Sequence, residues 1–536
     1  MLMTMVGCNQ NAEPTEPENG TGRPQYEINA DRGEAIVNDA GTVTAANQGN
    51  GRVYYQIFVG SFSDSNGDGI GDLRGIINRF DYLNDGNDNS GVSLGVEGIW
   101  LSPIFKSPSY HKYDVTDYYE IDPQFGTMDD LKELIALCHE RGVQIILDLV
   151  INHTSKQNKW YKDFVFAHQI GNENHAYYDF YSWGQTHISG ATSSPIAGTD
   201  HYYECNFSGD MPELNYDNEA VRQAMLDVAK FYLDMGVDGF RFDAAKYIYY
   251  GNEQKSADFW VWYMGKLREI KPDIYTVAEV WSSDDVTDLY FTSTNCFNFT
   301  MSQAEGLLAT TARGGRVSAL TTYVEEYIKR IKARNENAMM CTFIANHDTD
   351  RAAGYLTVAS GQAYVGANLS MLMPGSTFVY YGEEIGMKGS RGGASTDANR
   401  RLAMLWGDDD TVSNPAGTTY DSPQINGTVA DQLAVSESLY NHYKKLITIR
   451  KANPEIVYGT YTGLKIADSD VGGFLSEYQG SKVAVLHNTT NEAVQLDLTQ
   501  VTDASLTTIA AYAGMGNATL NGTVLTIAAQ TSVVLR

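Results

Sequence analysis

A chain of 536 residues is too long for one ordinary hydrophobic core, so we expect one large domain with one or two smaller ones. Asp and Glu outnumber Lys and Arg by 66 to 38, and the net charge of −28 disfavours nucleic acid and anionic membrane surfaces as partners. The 5 cysteines show no Cys-x-x-Cys spacing, which argues against both a disulfide framework and a thiolate metal site.

The first residues resemble the end of a bacterial lipoprotein signal, in which a small residue precedes a cysteine that is cut and lipidated. Gly7 precedes Cys8 here, although no basic start and no full apolar stretch come before it. Residues 9–48 are rich in Asn, Glu, Pro, Thr and Gly, so residues 1–48 are predicted to be a signal remnant and flexible tether.

We therefore expect an exported protein, lipid-anchored through Cys8 at the bacterial outer membrane or cell surface, or in the periplasm. A chance cysteine in a tail is the alternative. The membrane is a partner only through this anchor, because no other apolar run approaches the roughly 18 residues of a spanning helix.

From Val53 onward, β-branched and aromatic runs alternate with amphipathic helical segments, which is typical of parallel βα units. One helix is predicted to begin at Asp129 and Asp130, whose charges suit a helix N-terminus, and to stop at Gly142. Another is predicted from about Glu219 to Met235. The fold class is therefore α/β, a (β/α)8 TIM barrel with its active site where the strands end. Its eight predicted strands are Val53–Val59, Val96–Leu101, Gln144–Val150, Gly239–Asp243, Tyr275–Val280, Cys296–Thr300, Met340–Ala345 and Thr377–Tyr381.

The barrel is predicted to be interrupted once and followed by a second fold. Residues 49–153 form its first part and residues 217–452 the remainder. Residues 154–216, after the third strand, are loop-like and rich in Tyr, His, Ser and Gly, so we expect an inserted subdomain over the site. Residues 453–536 lack helical stretches and predict a C-terminal antiparallel β-sandwich domain, with strands such as Lys482–His487, Val524–Ile527 and Ser532–Leu535.

Carboxyl groups stand at the ends of predicted strands. Cleavage of a glycosidic bond needs one carboxylate at the anomeric carbon and a second carboxyl group to protonate the leaving oxygen. Arg241 and Asp243 point to the same face of their strand, where Arg241 favours the ionised Asp243 that a nucleophile requires. Glu279 ends an apolar strand beside Trp281, where desolvation would raise its pKa and retain a proton for donation. Taken alone, the first feature also fits a structural Arg–Asp pair, and the second is ambiguous.

A third strand end carries an imidazole and a carboxylate side by side. His347 and Asp348 follow an apolar run and are placed to hydrogen-bond sugar hydroxyls as the ring distorts. A lone His–Asp pair is more often structural, so the combination of strand-end carboxyl groups carries the argument.

Six segments then show a common pattern: Asp148–His153, Met211–Asn215, Gly239–Lys246, Val277–Trp281, Ala345–Asp348 and Phe378–Glu384. Their order and their places on the strands resemble the α-amylase family, glycoside hydrolase family 13. The resemblance covers about residues 52–536 and implies a retaining hydrolase whose partner is an α-glucan polysaccharide or oligosaccharide. It implies Asp243 as nucleophile, Glu279 as general acid/base and Asp348 as stabiliser of the transition state.

The resemblance also implies substrate-binding side chains. Arg241, His153 and His347 would bind the glucosyl unit at the cleavage point. The segment Tyr110–Asp114 is similar to the family segment in which a tyrosine stacks under that sugar, which implies this role for Tyr113 with His111 nearby. Lys246 is expected to contact the substrate on the leaving-group side.

A calcium site is predicted between the first strand and the first helix. Oxygen donors recur at alternate positions, and Gly69 permits the sharp turn that a cage around a hard cation needs. The loop is not an EF-hand, because its twelfth position is Gly75, but it resembles a calcium loop of oligosaccharide-acting family members. A plain Asp/Gly turn is the alternative, and a second calcium through Asn152 is implied by the family alone. The predicted ligands of the first ion are Asp64, Asn66, Asp68, the Ile70 carbonyl and Asp72.

Two departures from the family pattern leave the substrate open. Tyr247 follows Lys246 where many α-amylases have His, and Glu213 stands where the family usually has Asp. We expect α-1,4 hydrolysis of starch, maltodextrins or related glucans, with neopullulanase, cyclomaltodextrinase or α-glucosidase activity as the nearest alternative. A non-catalytic surface glucan-binding lipoprotein is the remote alternative. No protein partner is evident.

Overall fold

The computed structural model describes residues 51–87, 93–393, 396–466, 471–501 and 505–536. Cys8 and the predicted tether lie outside these residues. No helix among the described residues is long and apolar enough to cross a membrane.

The predicted parallel barrel is confirmed. Its strands are hydrogen-bonded in the order sixth, fifth, fourth, third, second, first, eighth, seventh, and a parallel bridge between Phe297 and Cys341 joins the sixth strand to the seventh. The ring is thus nearly closed. From first to eighth the strands are Val53–Ile57, Gly98–Leu101, Gln144–Leu149, Gly239–Phe242, Tyr275–Ala278, Asn295–Cys296, Cys341–Phe343 and Ser376–Tyr380.

Several strands end earlier than predicted. The fourth stops at Phe242 and the fifth at Ala278, so Asp243 and Glu279 lie just beyond the sheet. The predicted sixth strand Cys296–Thr300 is wrong in its bounds, because the strand itself contains only Asn295 and Cys296 and is followed by the single bridge at Phe297. Beyond them the chain turns out of the sheet, and Asn298 N donates to the carbonyl of Cys341.

Helices surround the barrel and bury their apolar faces against it. The helix predicted at Asp129 runs over Met128–Glu140, where Thr127 caps the first turn and forms a capping box with Asp130. The second predicted helix has the bounds Glu219–Met235. The other helices are Leu73–Asn78, Phe80–Leu83, Lys159–Gln169, Glu253–Ile270, Asp284–Tyr290, Leu307–Ala312, Val317–Arg334, Gln362–Met371, Val429–Leu433, Leu439–Ala452, Pro454–Tyr458 and Leu498–Val501.

Alternation along the strands divides the side chains between two environments. Phe240 and Phe242 face outward into the large core between strands and helices. Inward-facing side chains fill the barrel, and Arg241 points inward between them toward the third strand, as the predicted alternation requires. The apolar inner cluster contains Tyr54, Trp100, Ile146, Tyr275, Val277, Phe297, Phe299, Cys341, Phe343 and Phe378.

The insertion after the third strand is more ordered than the expected loop. It contains the helix Lys159–Gln169 and a three-stranded sheet in which Tyr202–Glu204 pairs with both Trp183–Gly184 and Ser193–Pro195. Its many aromatic residues, which suggested a loop, form the packing instead. The ring of Tyr161 contacts those of Tyr181 and Tyr203 at centroid distances of 5.3 and 5.1 Å.

The C-terminal region forms two antiparallel sheets around one apolar cluster, as predicted. The short helices Pro454–Tyr458 and Leu498–Val501 were not expected there, because residues 453–536 were predicted to lack helical stretches. The five-stranded sheet has the order Thr460–Gly463, Val471–Tyr478, Ser481–Asn488, Thr531–Leu535, Ile509–Gly514, and the three-stranded sheet Val494–Asp497, Val524–Ile527, Ala518–Asn521.

Candidate active site

A cleft of about 830 Å³ opens where the barrel strands end. Arg241 and His347 are buried just below its lining and reach it through hydrogen bonds. The other predicted catalytic and substrate-binding side chains line it directly: Asp243, Glu279, Asp348, His111, Tyr113, His153 and Lys246. The tertiary structure thus brings together every residue predicted for these two roles.

The guanidinium of Arg241 joins the carboxyl groups of the site. Its Nη1 donates to Asp148 Oδ1 at 2.7 Å and to Asp243 Oδ1 at 2.8 Å, and its Nη2 donates to Glu279 Oε2 at 2.7 Å. Because this group is planar and rigid, it fixes Asp243 and Glu279 relative to each other. Asp148 is part of the third-strand motif, but no role was predicted for its side chain.

The backbone next to Asp243 adopts a left-handed conformation, with φ of 48° at Ala244. This turn directs the N–H of Ala244 to Glu279 Oε2 at 3.1 Å. Two other cleft segments contain non-glycine residues with positive φ, Lys112 at 64° and Gln303 at 71°. Such strain concentrates at functional sites, where the surrounding contacts hold it in place.

Asp348 is held by two side chains from different parts of the chain. Arg401 Nη2 donates to its Oδ1 at 2.7 Å, and His347 Nε2 lies 3.0 Å from its Oδ2. Arg401 also donates from Nε to the carbonyl of His347 at 3.0 Å and from Nη1 to Tyr110 Oη at 3.0 Å. Sequence reasoning missed Arg401, which lies in no recognised motif, and no local signal could have identified it.

His347 and Tyr113 form a hydrogen-bonded chain across the cleft floor. The amide of Gln56 donates to His347 Nδ1 at 2.7 Å, so Nε2 carries the proton of the neutral ring. His347 Nε2 lies 2.6 Å from Tyr113 Oη, which donates to Asp148 Oδ2 at 2.9 Å. The two rings are nearly parallel, at 3°. Tyr113 is thereby held with its ring as part of the cleft wall.

The remaining two predicted histidines are neutral groups at the wall. Burial lowers the pKa of His111 to about 4, together with the charge of Arg401, and burial lowers the pKa of His153 to about 4. The Nδ1 of His111 accepts from the N–H of Tyr113 at 3.1 Å, which leaves its Nε2 to donate. The Nε2 of His153 is buried and has no hydrogen-bond partner among the residues that the structure describes. Both rings can therefore serve sugar hydroxyls.

The carboxyl groups of the site differ in their affinity for protons. Burial raises the pKa of Asp243 to about 7 although Arg241 opposes it, and burial raises the pKa of Glu279 to about 7. The effect of Arg241 on Asp243 thus has the predicted sign but does not outweigh desolvation. In contrast, His347 and Arg401 overcome burial and hold the pKa of Asp348 far below its usual value. Asp243 and Glu279 can therefore share one proton near pH 7, while Asp348 stays ionised.

The predicted calcium ligands lie in one loop, where their oxygens accept backbone N–H groups. Asp64 Oδ1 accepts from Asn66 at 3.0 Å, Asn66 Oδ1 from Asp68 at 2.9 Å, and Asp68 Oδ1 from Ile70 at 2.8 Å, while Asp72 caps a helix. This oxygen-only donor chemistry fits calcium. In the part of the chain that the structure describes, however, no group of three or more His, Cys, Asp or Glu is arranged to hold a metal ion.

Asn152, predicted for a second calcium, is buried beside His153, with its Nδ2 3.3 Å from that ring's Nδ1. The side chain of Asn152 also hydrogen-bonds to Glu213, whose pKa is raised to about 8 by burial together with the charge of Glu204. The amide of Asn206 donates to both glutamates, at 2.8 and 3.0 Å. These contacts connect the inserted subdomain to the third strand.

The catalytic-domain description of the α-amylase family, "Alpha amylase, catalytic domain", matches residues 56–459. The chain belongs to the α-amylase family. It is therefore a glycoside hydrolase of family 13 acting on α-glucans, as predicted from the motifs. The match includes the insertion, every residue that lines the cleft, and the barrel except for the first three residues of its first strand.

Relatives within the family differ in their named activities. The chain is 34% identical to "Alpha-amylase 3" of Dictyoglomus thermophilum, with 81% of this chain and 84% of the relative covered. It is 29% identical to the "Oligo-1,6-glucosidase" of Bacillus cereus, covering 83% and 91%. The solved structure "Eubacterium rectale Amy13B" is similar at 33% identity and a TM-score of 0.84, covering 94% of this chain and 97% of that one.

Proposed function

We propose that this enzyme hydrolyses α-1,4-glucosidic bonds in starch, maltodextrins or related glucans with retention of configuration. The observation that carries the proposal is the bridge formed by Arg241, whose two terminal nitrogens bond to Asp243 and Glu279. A retaining glycosidase needs its two carboxyl groups only about 5 Å apart, and one guanidinium between them favours such a short separation.

Asp243 is the proposed nucleophile. In the first step a carboxylate oxygen of Asp243 bonds to the anomeric carbon, while the glycosidic C–O bond breaks and Glu279 gives its proton to the leaving oxygen. Glu279 then takes a proton from water, whose oxygen displaces Asp243 and restores the α configuration. Both hydrogen bonds that Arg241 and Ala244 donate to Glu279 reach Oε2, so we assign the transferable proton to Oε1.

Asp348 is proposed to stabilise the transition state without exchanging a proton. Its low pKa keeps it ionised, so it can accept hydrogen bonds from sugar hydroxyls as positive charge develops on the ring. His153, His347 and His111 would bind hydroxyls of the same glucosyl unit, and the ring of Tyr113 would lie against its apolar face. Lys246 Nζ donates to the carbonyl of Trp281 at 2.7 Å and is assigned to the leaving-group side.

Two measurements test this mechanism. Proton NMR of the first product should detect the α-anomer, and initial release of the β-anomer would refute retention. Asp243→Asn should abolish turnover because the neutral amide cannot attack, yet it should still bind maltooligosaccharides. Appreciable activity in that variant, with its purity verified by mass spectrometry, would move the nucleophile to another residue.

A second candidate function is α-1,6 hydrolysis, as in neopullulanases or oligo-1,6-glucosidases. It is favoured by Glu213 and Tyr247, where the chain departs from common α-amylases, and by its similarity to a protein named oligo-1,6-glucosidase. Products released over time from amylose, pullulan and cyclodextrin distinguish the candidates. Cleavage of amylose alone supports an α-amylase, whereas cleavage of the α-1,6 bonds of pullulan supports the α-1,6 alternative. Rapid opening of cyclodextrin, whose bonds are all α-1,4, would instead indicate a cyclomaltodextrinase.

We also propose calcium in the loop 64–72, supported by its oxygen donors and by the positive φ of Gly67 and Gly69. Binding would draw its carboxylates together. An ion present at 100 times its dissociation constant would add about 2.7 kcal/mol to the free energy of unfolding. Metal analysis before and after chelation, with melting temperatures on re-adding Ca²⁺, is the test. The second ion is tested separately with an Asn152→Ala variant, which should contain less metal per chain if Asn152 binds that ion.

Export with a lipid anchor at Cys8 remains a proposal supported only by the sequence around that cysteine. Mass spectrometry of the protein purified from its native membranes should detect a lipidated Cys8. An unmodified cysteine in intact protein would contradict the anchor.

A further inference from the structure

Four aromatic rings run outward from the cleft on the side of Glu279. The ring centroids of His153 and Phe207 are 5.2 Å apart, and those of Phe207 and Tyr247 are 4.7 Å apart. Tyr250 follows at 5.5 Å from Tyr247, with 19° between the ring planes. The first three rings line the cleft, whereas Tyr250 lies next to them outside its lining. The run therefore connects the cleft to the protein surface.

These rings are not part of the hydrophobic core. Phe207 and Tyr250 are each 45% exposed, although aromatic side chains of this size are usually more fully buried. Phe207 comes from the inserted subdomain, while Tyr247 and Tyr250 come from the segment after the fourth strand. Exposed aromatic side chains from separate segments that continue a binding cleft indicate a ligand surface.

The position of the run relative to Glu279 decides which part of a substrate it meets. Ala244 donates to Glu279, and Tyr247 follows in the same turn. Lys246, also in this turn, bonds to the carbonyl of Trp281, two residues after Glu279. A general acid faces the leaving oxygen, so side chains around it border the leaving-group portion of the substrate.

We propose that Phe207, Tyr247 and Tyr250 form an aromatic ledge that binds the leaving-group portion of a long α-glucan beyond the cleft, with Tyr250 as its outermost platform. This inference rests on the proposed hydrolytic function. Aromatic faces are apolar and flat, which suits the C–H faces of successive pyranose rings. Continuity with the cleft identifies the occupant as the substrate chain itself. The ledge makes the enzyme prefer long chains over short ones.

The test uses the Asp243→Asn protein, so that affinity is measured by calorimetry without turnover. Maltoheptaose is the long probe, and maltotriose is the short probe. Adding Tyr250→Ala should weaken maltoheptaose binding about three- to tenfold, the size of one aromatic contact, and leave maltotriose binding unchanged. Tyr250→Phe keeps the ring and should retain affinity. Tyr119→Ala, at a tyrosine 43% exposed and absent from the cleft lining, is the matched control.

The outcomes separate the ledge from the underlying function. Unchanged maltoheptaose affinity in the Tyr250→Ala protein, or an equal loss for both oligosaccharides, would overturn the ledge. An equal effect of Tyr119→Ala would overturn it as well. Failure of the Asp243→Asn parent to bind either oligosaccharide, together with absence of glucan hydrolysis by the unaltered enzyme, would overturn the proposed function itself.

Discussion

Replacing Arg401 with Gln tests whether this residue, absent from every motif, positions Asp348. The substitution removes the guanidinium that bonds to Asp348 Oδ1 at 2.7 Å and to the carbonyl of His347 at 3.0 Å. Hydrogen bonds to charged groups contribute about 1.5 to 3 kcal/mol each. If one such interaction is lost from the transition state, kcat/KM falls about 10- to 150-fold.

The stability of the same variant can be estimated separately. Removing one partner of a buried ion pair costs about 3 to 5 kcal/mol. The side chain of Asp348 is 29% exposed, so water partly replaces the lost partner, and we expect about 2 to 3 kcal/mol. The pKa of Asp348 should rise, because Arg401 is one of the charges that depress it. Because folding lowers the pKa of Asp348, its ionised carboxylate stabilises the folded state at pH values above the ordinary pKa of aspartate. This stabilisation is lost as the pH falls through the pKa that Asp348 has in the folded protein.

The assay combines urea unfolding with kcat/KM on maltoheptaose across pH. Arg330→Gln is the matched control, since Arg330 pairs with Asp284 at 2.9 Å and Asp288 at 3.1 Å on the outer surface of the barrel. It should also lower stability, because the side chain of Asp288 is only 9% exposed, but it should leave activity unchanged. If Arg401→Gln lowers stability but leaves kcat/KM and its pH dependence unchanged, Arg401 supports the fold alone and the positioning argument is refuted.

Three further predictions follow from burial and close packing. Activity should decline as pH rises through about 7, because Glu279 then loses the proton it donates; a pH–rate profile flat from 6 to 9 would contradict this. Burial raises the pKa of Glu383 to about 8, so the folded state favours the protonated carboxyl group. The protein therefore loses stability as the pH rises from the pKa of this glutamate in the unfolded chain toward 8. Glu383→Gln should therefore melt higher than the unaltered protein at pH 8 but about equally at pH 4, and equal melting at both would refute it. Gly239→Ala would place a Cβ 1.7 Å from the carbonyl oxygen of Tyr275 and should cost more than about 3 kcal/mol in urea unfolding, whereas Gly265→Ala, in open space on a helix, should not destabilise.

Most of the strands, and the carboxyl groups that stand at their ends, were predictable because local patterns encode them. Alternation along Gly239–Phe242 placed Arg241 and Asp243 on one side, and the inward bonds of Arg241 agree with this. The capped helix Met128–Glu140 likewise follows from short-range charge and hydrophobic periodicity. These features depend on neighbours within a few residues, so a sequence pattern contains most of the relevant information.

The tertiary structure decided how distant segments meet. Arg401 reaches Asp348 from 53 residues along the chain, and Asp148 reaches Arg241 across 93. Tyr250 joins Phe207 of the insertion through Tyr247 only because two separate segments fold over one strand end. Whether burial or a nearby charge dominates a pKa also depends on these long-range contacts, which is why Asp243 and Asp348 shift in opposite directions. Local pattern therefore determined most of the barrel strands and the types of polar group at their ends, whereas packing between distant segments determined the charge states of these groups and the shape of the surface that meets the glucan.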